Sequence, residues 1–512
     1  MGKTRKYGRK PKITLKCKLL STKYICYEII YILAQTKIIM KTTLLGLLSA
    51  FCITITANAQ TDWAPKTTID NATGDTPYAI DSGLMDNDGN IDILIGTEAD
   101  NIIVWYKGNG DGTFSKQAEI TNTLVNLGII KLADLNNDTH MDILAAGYGN
   151  YTGSIGSDSK IVWFQGDGTG SFGAEQLITD AYDGMSGIFV GNIDAGTTPD
   201  IALTSNADNQ VVWLSNDGSG NFTVGGTIDN TLSGPGVVNM KDIDNDGDLD
   251  ALIGTTNYAG DVLEIFRNDL IPGGAVAFTK DATSVATGKA GLFYVSFEDL
   301  DGDANLDILA TEISYGSGPT GHLYWYEDNG AGFTETTFTT STNNPSMAQA
   351  KDLDNDGLVD IILSSGALGD VIDLVWFKNN GDGTFGPEQI INDTQSQVYV
   401  FTVADFDGDL DLDIASNAYG ADNLNYIENL YETLSIADFD ATSIKIFPNP
   451  TKDVLTFEGI NETIKISVFD VLGKQVLEQT LNYGETLNVS QLVSGLYTIK
   501  FNNKFASKFI KE

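Results

Sequence analysis

The sequence predicts an all-β chain, a seven-bladed β-propeller followed by a small C-terminal β-sandwich. Three observations carry this reading. An acidic loop followed by a short apolar strand recurs seven times, its last aspartate falling at Asp92, Asp142, Asp200, Asp250, Asp307, Asp360 and Asp413. The intervals of 50, 58, 50, 57, 53 and 53 residues suit a four-stranded blade and exceed a solenoid turn. The final segment changes character: 443–512 holds eight lysines against seven acids, whereas 61–442 holds 11 basic and 61 acidic residues, and such a break marks a domain boundary.

The leading segment reads as targeting sequence. Residues 1–59 carry 11 basic side chains and one acid, Glu28. Residues 1–39 form a basic leader with its own apolar patch, either a short membrane anchor or an over-extended reading frame. The second is preferred because Met40-Lys41 opens a complete signal: an apolar run from Leu44 to Ile55, then Ala57-Asn58-Ala59 before Gln60. Residues 40–59 are therefore expected to be a secretory signal peptide, cleaved near Ala59/Gln60. Cys52 follows Phe51, where a lipid-attachment box needs a small residue. Cys17, Cys26 and Cys52 are the chain's three cysteines, so the mature chain has neither disulfides nor thiolate-bound zinc nor a thiol nucleophile. From residue 60 onward, 19 basic groups face 68 acids, a net −49, which argues against a nucleic-acid binder. No stable membrane span is expected in the mature chain.

The propeller is expected over 60–433. After each acidic loop comes a strand such as Ile93-Leu94-Ile95, then an aromatic strand such as Val104-Trp105-Tyr106 or Val375-Trp376-Phe377, then a glycine-rich turn. A fourth strand headed by Phe114, Phe172, Phe222, Phe278, Phe333 or Phe385 completes six repeats. The seventh has none. Trp63-Ala64-Pro65-Lys66-Thr67-Thr68-Ile69 matches the pattern of Phe114–Ile120, so residues 63–70 are expected to close the last blade and cover otherwise free strand edges. Trp105, Trp163, Trp213, Trp325 and Trp376 share one repeat position, and packing explains such recurrence better than sugar stacking does.

The acidic loops read as metal sites. In Asp242-Ile243-Asp244-Asn245-Asp246-Gly247-Asp248-Leu249-Asp250, carboxylates at positions 1, 3, 5 and 9 can converge on one hard cation. Position 7 (Asp248) can offer its carbonyl, and Gly247 permits the sharp turn. Oxygen-only ligands select calcium. The equivalents are Asp299, Asp301, Asp303 and Asp307; Asp352, Asp354, Asp356 and Asp360; Asp405, Asp407, Asp409 and Asp413; and, weakened, Asp134, Asn136, Asp138 and Asp142. The first loop has Leu84 at position 1 and keeps only Asp86, Asp88 and Asp92, while the third (Asn192, Asp194, Gly196, Asp200) lacks an acid at position 5 and is expected to be empty. Like charges packed this densely without cations would destabilise the fold.

This loop-plus-strand unit resembles the FG-GAP and VCBS-type repeats of integrin-like seven-bladed propellers, over about residues 63–430. The resemblance implies calcium in the loops and extracellular adhesion or polysaccharide handling, although fold does not fix function. Beyond a linker at 434–442, strand-like alternation in Val454–Phe457, Ile464–Phe469 and Tyr497–Phe501, with turns at Leu472-Gly473-Lys474 and Ser494-Gly495, predicts the small sandwich. Ile446–Asp453, Val468–Lys474 and Leu492–Tyr497 together resemble the type A C-terminal sorting domain of the type IX secretion system of Bacteroidetes. That resemblance implies the secretion machinery as partner of 443–512 and a secreted or outer-membrane surface location.

No catalytic constellation is legible. The chain beyond the signal has two histidines, His140 and His322, and one arginine, Arg267, and the histidines fall in different blades. Tyr148, Tyr258, Tyr315 and Tyr419 follow the repeat's final aspartate by six or eight residues, with Tyr151 beside the first of them. Alternating strand direction puts these loops opposite the acidic ones, and tyrosine suits sugar or protein contacts. The function expected is a calcium-stabilised binding or adhesion module for a glycan or protein ligand. The alternative is a polysaccharide-degrading lyase or hydrolase.

Overall fold

The computed structural model describes residues 63–149, 158–257, 260–313, 321–330, 332–342, 344–366, 372–431, 445–458, 464–469, 475–482, 485–501 and 505–512. The leader and signal, Tyr151, Tyr258, Tyr315, the linker and the turn at Leu472-Gly473-Lys474 lie outside the described residues.

Seven antiparallel sheets follow one another along the chain as the blades of a propeller. The first is built from Pro77–Gly83, Asp92–Thr97, Ile103–Gly108 and Phe114–Lys116, paired in that order. Five further sheets repeat the order. The fourth divides its outer edge into Phe278–Lys280 and Ala286–Lys289, both paired with Asp261–Asn268. The seventh takes only three strands from its own repeat, Phe401–Ala404, Asp413–Ala418 and Asn423–Ile427; its fourth is Thr67–Asp70 from the other end of the repeat array. Trp63 bridges Asn429 as Phe172 bridges Gly166 and Phe385 bridges Asn379, so the tryptophan occupies the phenylalanine position of the last blade.

In every blade the second strand is buried along its whole length, as in Asp92–Thr97 and Asp360–Ser365. This explains why these segments read as continuous apolar runs: neighbouring blades cover both faces of the strand. The propeller's seven apolar clusters each span two consecutive blades. Leu94 and Trp105 pack with Leu127, Ile143 and Phe164 between blades one and two. The ring closes through Ile93, Val104 and Tyr106 of the first blade, which pack with Phe406, Ala415 and Tyr426 of the seventh. The core is thus the set of gaps between blades, and removing one blade would expose two apolar faces. The five repeated tryptophans are at most 6% exposed and belong to these clusters.

The C-terminal segment forms two sheets of its own. One holds Lys445–Phe447, Val454–Glu458 and Leu487–Asn488; the other pairs Gln475–Leu481, Ile464–Phe469, Gly495–Phe501 and Phe505–Lys511 in that order. Leu455, Ile466, Val468, Leu487, Ile499 and Phe509 share one core, in which the rings of Tyr497 and Phe509 stack 5.5 Å apart. Among the described residues no helix is long and apolar enough to cross a membrane.

Candidate metal centre and axial aromatic cluster

Each acidic loop joins the first strand of a blade to the second, so all seven lie on one face of the ring. Position 1 organises the turn. Asp242 accepts the N–H groups of Asp246 and Gly247, and Asp352 accepts those of Asp356 and Gly357. Position 5 then accepts the N–H of position 7, as in Asp246 to Asp248 and Asp409 to Asp411. Such Asx-type turns need left-handed backbone, which Gly247 (φ 99°) and Gly357 (φ 88°) supply at position 6. In the fifth and seventh loops the glycine has moved to position 4. Ala304 (φ 73°) and Leu410 (φ 78°) hold the left-handed backbone at position 6 instead.

The position-9 aspartates have a second task, invisible in the spacing. Each is buried, and its two oxygens accept one N–H from position 2 of its own loop and one from the last residue of the blade's third strand or a residue just beyond it. For Asp92 the donors are Met85 and Gly108, both at 2.9 Å; for Asp413 they are Phe406 at 3.1 Å and Asn429 at 2.9 Å. The degenerate third loop keeps the pattern, with Asp200 accepting from Ile193 and Asn216. The residue is therefore a staple between loop and sheet whatever the loop binds.

Carboxylates of positions 1, 3 and 5 converge in three loops: Asp242, Asp244 and Asp246; Asp299, Asp301 and Asp303; Asp352, Asp354 and Asp356. Within each trio one oxygen per residue lies within 4.8 Å of the others. In the seventh loop the converging set is Asp405, Asp407 and Asp413, with position 9 in place of Asp409. Asp250, Asp307 and Asp360 stay outside their trios. In the second loop Asp138 accepts N–H groups from His140 and Gln165, and His140 sits 3.1 Å from Asn87 of the first loop rather than pointing away into solvent. In the first loop Asp86 and Asp88 both pair with Lys107.

The electrostatics of these loops favour a cation. Burial, then the charges of Asp409, Asp413 and Asp407, push the Asp411 carboxyl up to about 9. Burial, then Asp409 and more weakly Glu428, raise Asp407 to about 6. Oδ1 of Asp248, Asp354 and Asp411 is buried without a hydrogen-bond partner. A buried carboxylate oxygen with no donor is costly, and a hard divalent cation is the group that oxygen-only clusters of this kind could hold. The residues present fit such an ion.

Opposite the acidic loops, the starts of the first strands meet around the propeller axis. The ring of Tyr78 lies 5.4 Å from Tyr399, 6.0 Å from Tyr419 and 6.4 Å from Tyr148, and Tyr399 in turn lies 5.2 Å from Tyr419 and 6.2 Å from Phe293. Four blades contribute to this half-buried cluster. Of the tyrosines singled out from sequence, Tyr148 and Tyr419 belong to it; Tyr78, Tyr399 and Phe293 escaped notice because their repeat positions are not regularly aromatic. A Cβ on Gly128 would stand 2.0 Å from the Tyr148 ring, which shows how closely that ring lies on the backbone.

A further polar network lies at the edge of the fifth blade. His322 Nδ1 is 3.2 Å from Glu312, the Tyr324 hydroxyl donates to the same carboxylate, and Lys289 Nζ sits 3.7 Å above the Tyr324 ring while pairing with Glu335 at 2.8 Å. The signal for it was the register that places Glu312 opposite His322.

Comparison with family models assigns residues 445–512 to the secretion system C-terminal sorting domain. The FG-GAP-like repeat matches at 85–145, 299–363 and 352–416, segments that each run from one acidic loop through the strand following the next. A search of curated proteins found no match to the chain. The chain thus carries FG-GAP-like repeats and, at 445–512, a type IX secretion system C-terminal sorting domain, which makes it a secreted or cell-surface protein.

Proposed function

We propose that the protein is a calcium-stabilised binding propeller, delivered to the cell exterior by the type IX secretion machinery, that engages an extracellular glycan or protein. The observation that carries this reading is the pairing of an export domain with a ring whose two faces differ in chemistry. On one face, oxygen-only clusters with buried, undonated carboxylate oxygens suit calcium. Calcium there holds loops together by offsetting their mutual repulsion and takes no part in chemistry. On the other face lies the axial aromatic cluster, and amphipathic rings on a rigid scaffold are a common basis for recognition. Tyr148 and Tyr419, together with Tyr151, Tyr258 and Tyr315 of the equivalent loops, are the residues proposed to meet the ligand.

The test is a glycan and surface-protein binding screen of the exported protein, run beside reducing-sugar and unsaturated-product assays on every glycan that binds. Binding without product, weakened by Tyr419→Ala with the fold intact by circular dichroism, supports the reading. Release of product from a bound glycan overturns it in favour of an enzyme, and normal binding by the quadruple Tyr148, Tyr151, Tyr315 and Tyr419→Ala variant removes the tyrosine face from consideration.

A further inference from the structure

One register position recurs in all seven blades, and in five of them its side chain contacts the acidic loop. It is the residue after the one paired with the first apolar residue of the second strand, as Tyr106 pairs with Ile93 and Ile427 with Ile414. The residues there are Lys107, Gln165, Ser215, Arg267, Glu327, Lys378 and Glu428. Lys107 pairs with Asp86 and lies 2.9 Å from Asp88, and Lys378 pairs with Asp354 and lies 2.7 Å from Asp356. Arg267 reaches Asp250 at 3.1 Å and Asp244 at 3.9 Å. Gln165 donates to Asp138 at 3.1 Å and Ser215 to Asp194 at 3.2 Å. Five side chains thus reach carboxylates at positions 3, 5 or 9 of their own loop, so the position is a recurrent neighbour of the metal loop.

In the fifth and seventh blades that neighbour is an acid, Glu327 and Glu428. Glu428 stands beside a loop where Asp405, Asp407 and Asp413 already converge and where Oδ1 of Asp411, a residue only 2% exposed, is buried with no hydrogen-bond partner. In the sixth blade a comparable trio has Lys378 seated between two of its carboxylates.

We propose that this position sets the metal affinity of each loop: Glu327 and Glu428 make the fifth and seventh loops the tighter divalent-cation sites, while Lys107, Arg267 and Lys378 act as tethered counterions that compete with the ion in the first, fourth and sixth. The proposal rests on the reading of the acidic loops as calcium sites. Its physical content is simple. An ammonium among the carboxylates must be displaced before a cation enters, whereas an added carboxylate raises the negative field the cation meets.

The test is calorimetric titration of the full exported protein, stripped by chelator, with calcium chloride. Glu428→Lys is expected to remove one tight site per chain, Glu428→Gln to weaken that site by about tenfold, and Lys378→Gln to tighten one weaker site by about tenfold, each with an unchanged far-ultraviolet dichroism spectrum. Affinities unaltered in both Glu428→Gln and Lys378→Gln overturn the proposal even if Glu428→Lys fails to fold. If the parent chain takes up no calcium at all, the underlying reading fails and the proposal falls with it; calcium uptake by the parent that is insensitive to these substitutions refutes the proposal alone.

Discussion

Asn429→Ala should destabilise the propeller by about 2–4 kcal/mol. The side chain is fully buried, and its Nδ2 donates to the carbonyl of Leu353 at 2.9 Å and of Leu412 at 3.3 Å, while Oδ1 accepts from Tyr431 at 3.2 Å. Leu353 belongs to the acidic loop of the preceding blade, so the amide ties blade seven to blade six. Asn379 makes the same link to Leu300 at 2.7 Å, and Asn216 to Leu135 at 2.8 Å. Alanine removes both donated bonds and leaves two carbonyls without them. At about 1 kcal/mol net per bond, with more for buried groups left unsatisfied, the sum reaches the stated range. Urea denaturation in saturating calcium is the assay: the midpoint should fall with an unchanged slope, the mark of lost stability rather than altered compactness. A loss below about 0.5 kcal/mol would show that water replaces the amide and would refute the inter-blade link.

Three other predictions follow from the loops and the sorting domain. Asp200→Asn should destabilise the fold by about 1–3 kcal/mol while leaving calcium stoichiometry unchanged, because Asp200 anchors the N–H groups of Ile193 and Asn216 in a loop lacking the acid at position 5; equilibrium unfolding and metal analysis of one preparation check both halves. Burial raises Asp92, Asp142, Asp250 and Asp307 to about 6 and Asp360 and Asp413 to about 7, so between roughly pH 4 and 7 the metal-free native state holds protons that the unfolded chain has released. Its stability should therefore fall as pH rises across that window, and melts in chelator at pH 5 and pH 8 that rank the other way would contradict the sign. Deleting 445–512 should leave a folded propeller inside the cell envelope, and finding the truncated protein in the medium or at the surface would refute the export role.

The repeat period, the loop spacing and the orphan seventh blade were legible because a propeller writes its period into the chain. Each blade restates the same loop, and the seventh lacks a strand that Trp63–Ile69 resembles. The local chemistry of each loop was also legible, since Asx turns and carboxylates a few residues apart act within one stretch of sequence. What escaped notice depends on register between strands. Lys107 lies 15 residues beyond Asp92, and its approach to Asp86 and Asp88 follows only once the pairing of Ile93 with Tyr106 is known. The double role of Asp413 escaped for the same reason, because its second donor, Asn429, arrives just beyond the third strand. The axial ring cluster is further removed still: Tyr78, Phe293 and Tyr399 meet only when the ring closes.

The most direct test of calcium-dependent stability is the melting temperature of the exported protein after chelation, followed as calcium is added back. A ligand that binds only the folded state adds about 4 kcal/mol per site at a thousandfold excess over its dissociation constant. The account predicts a clear fall in melting temperature on chelation and a rise with the logarithm of added calcium; identical melts in chelator and in millimolar calcium would contradict it.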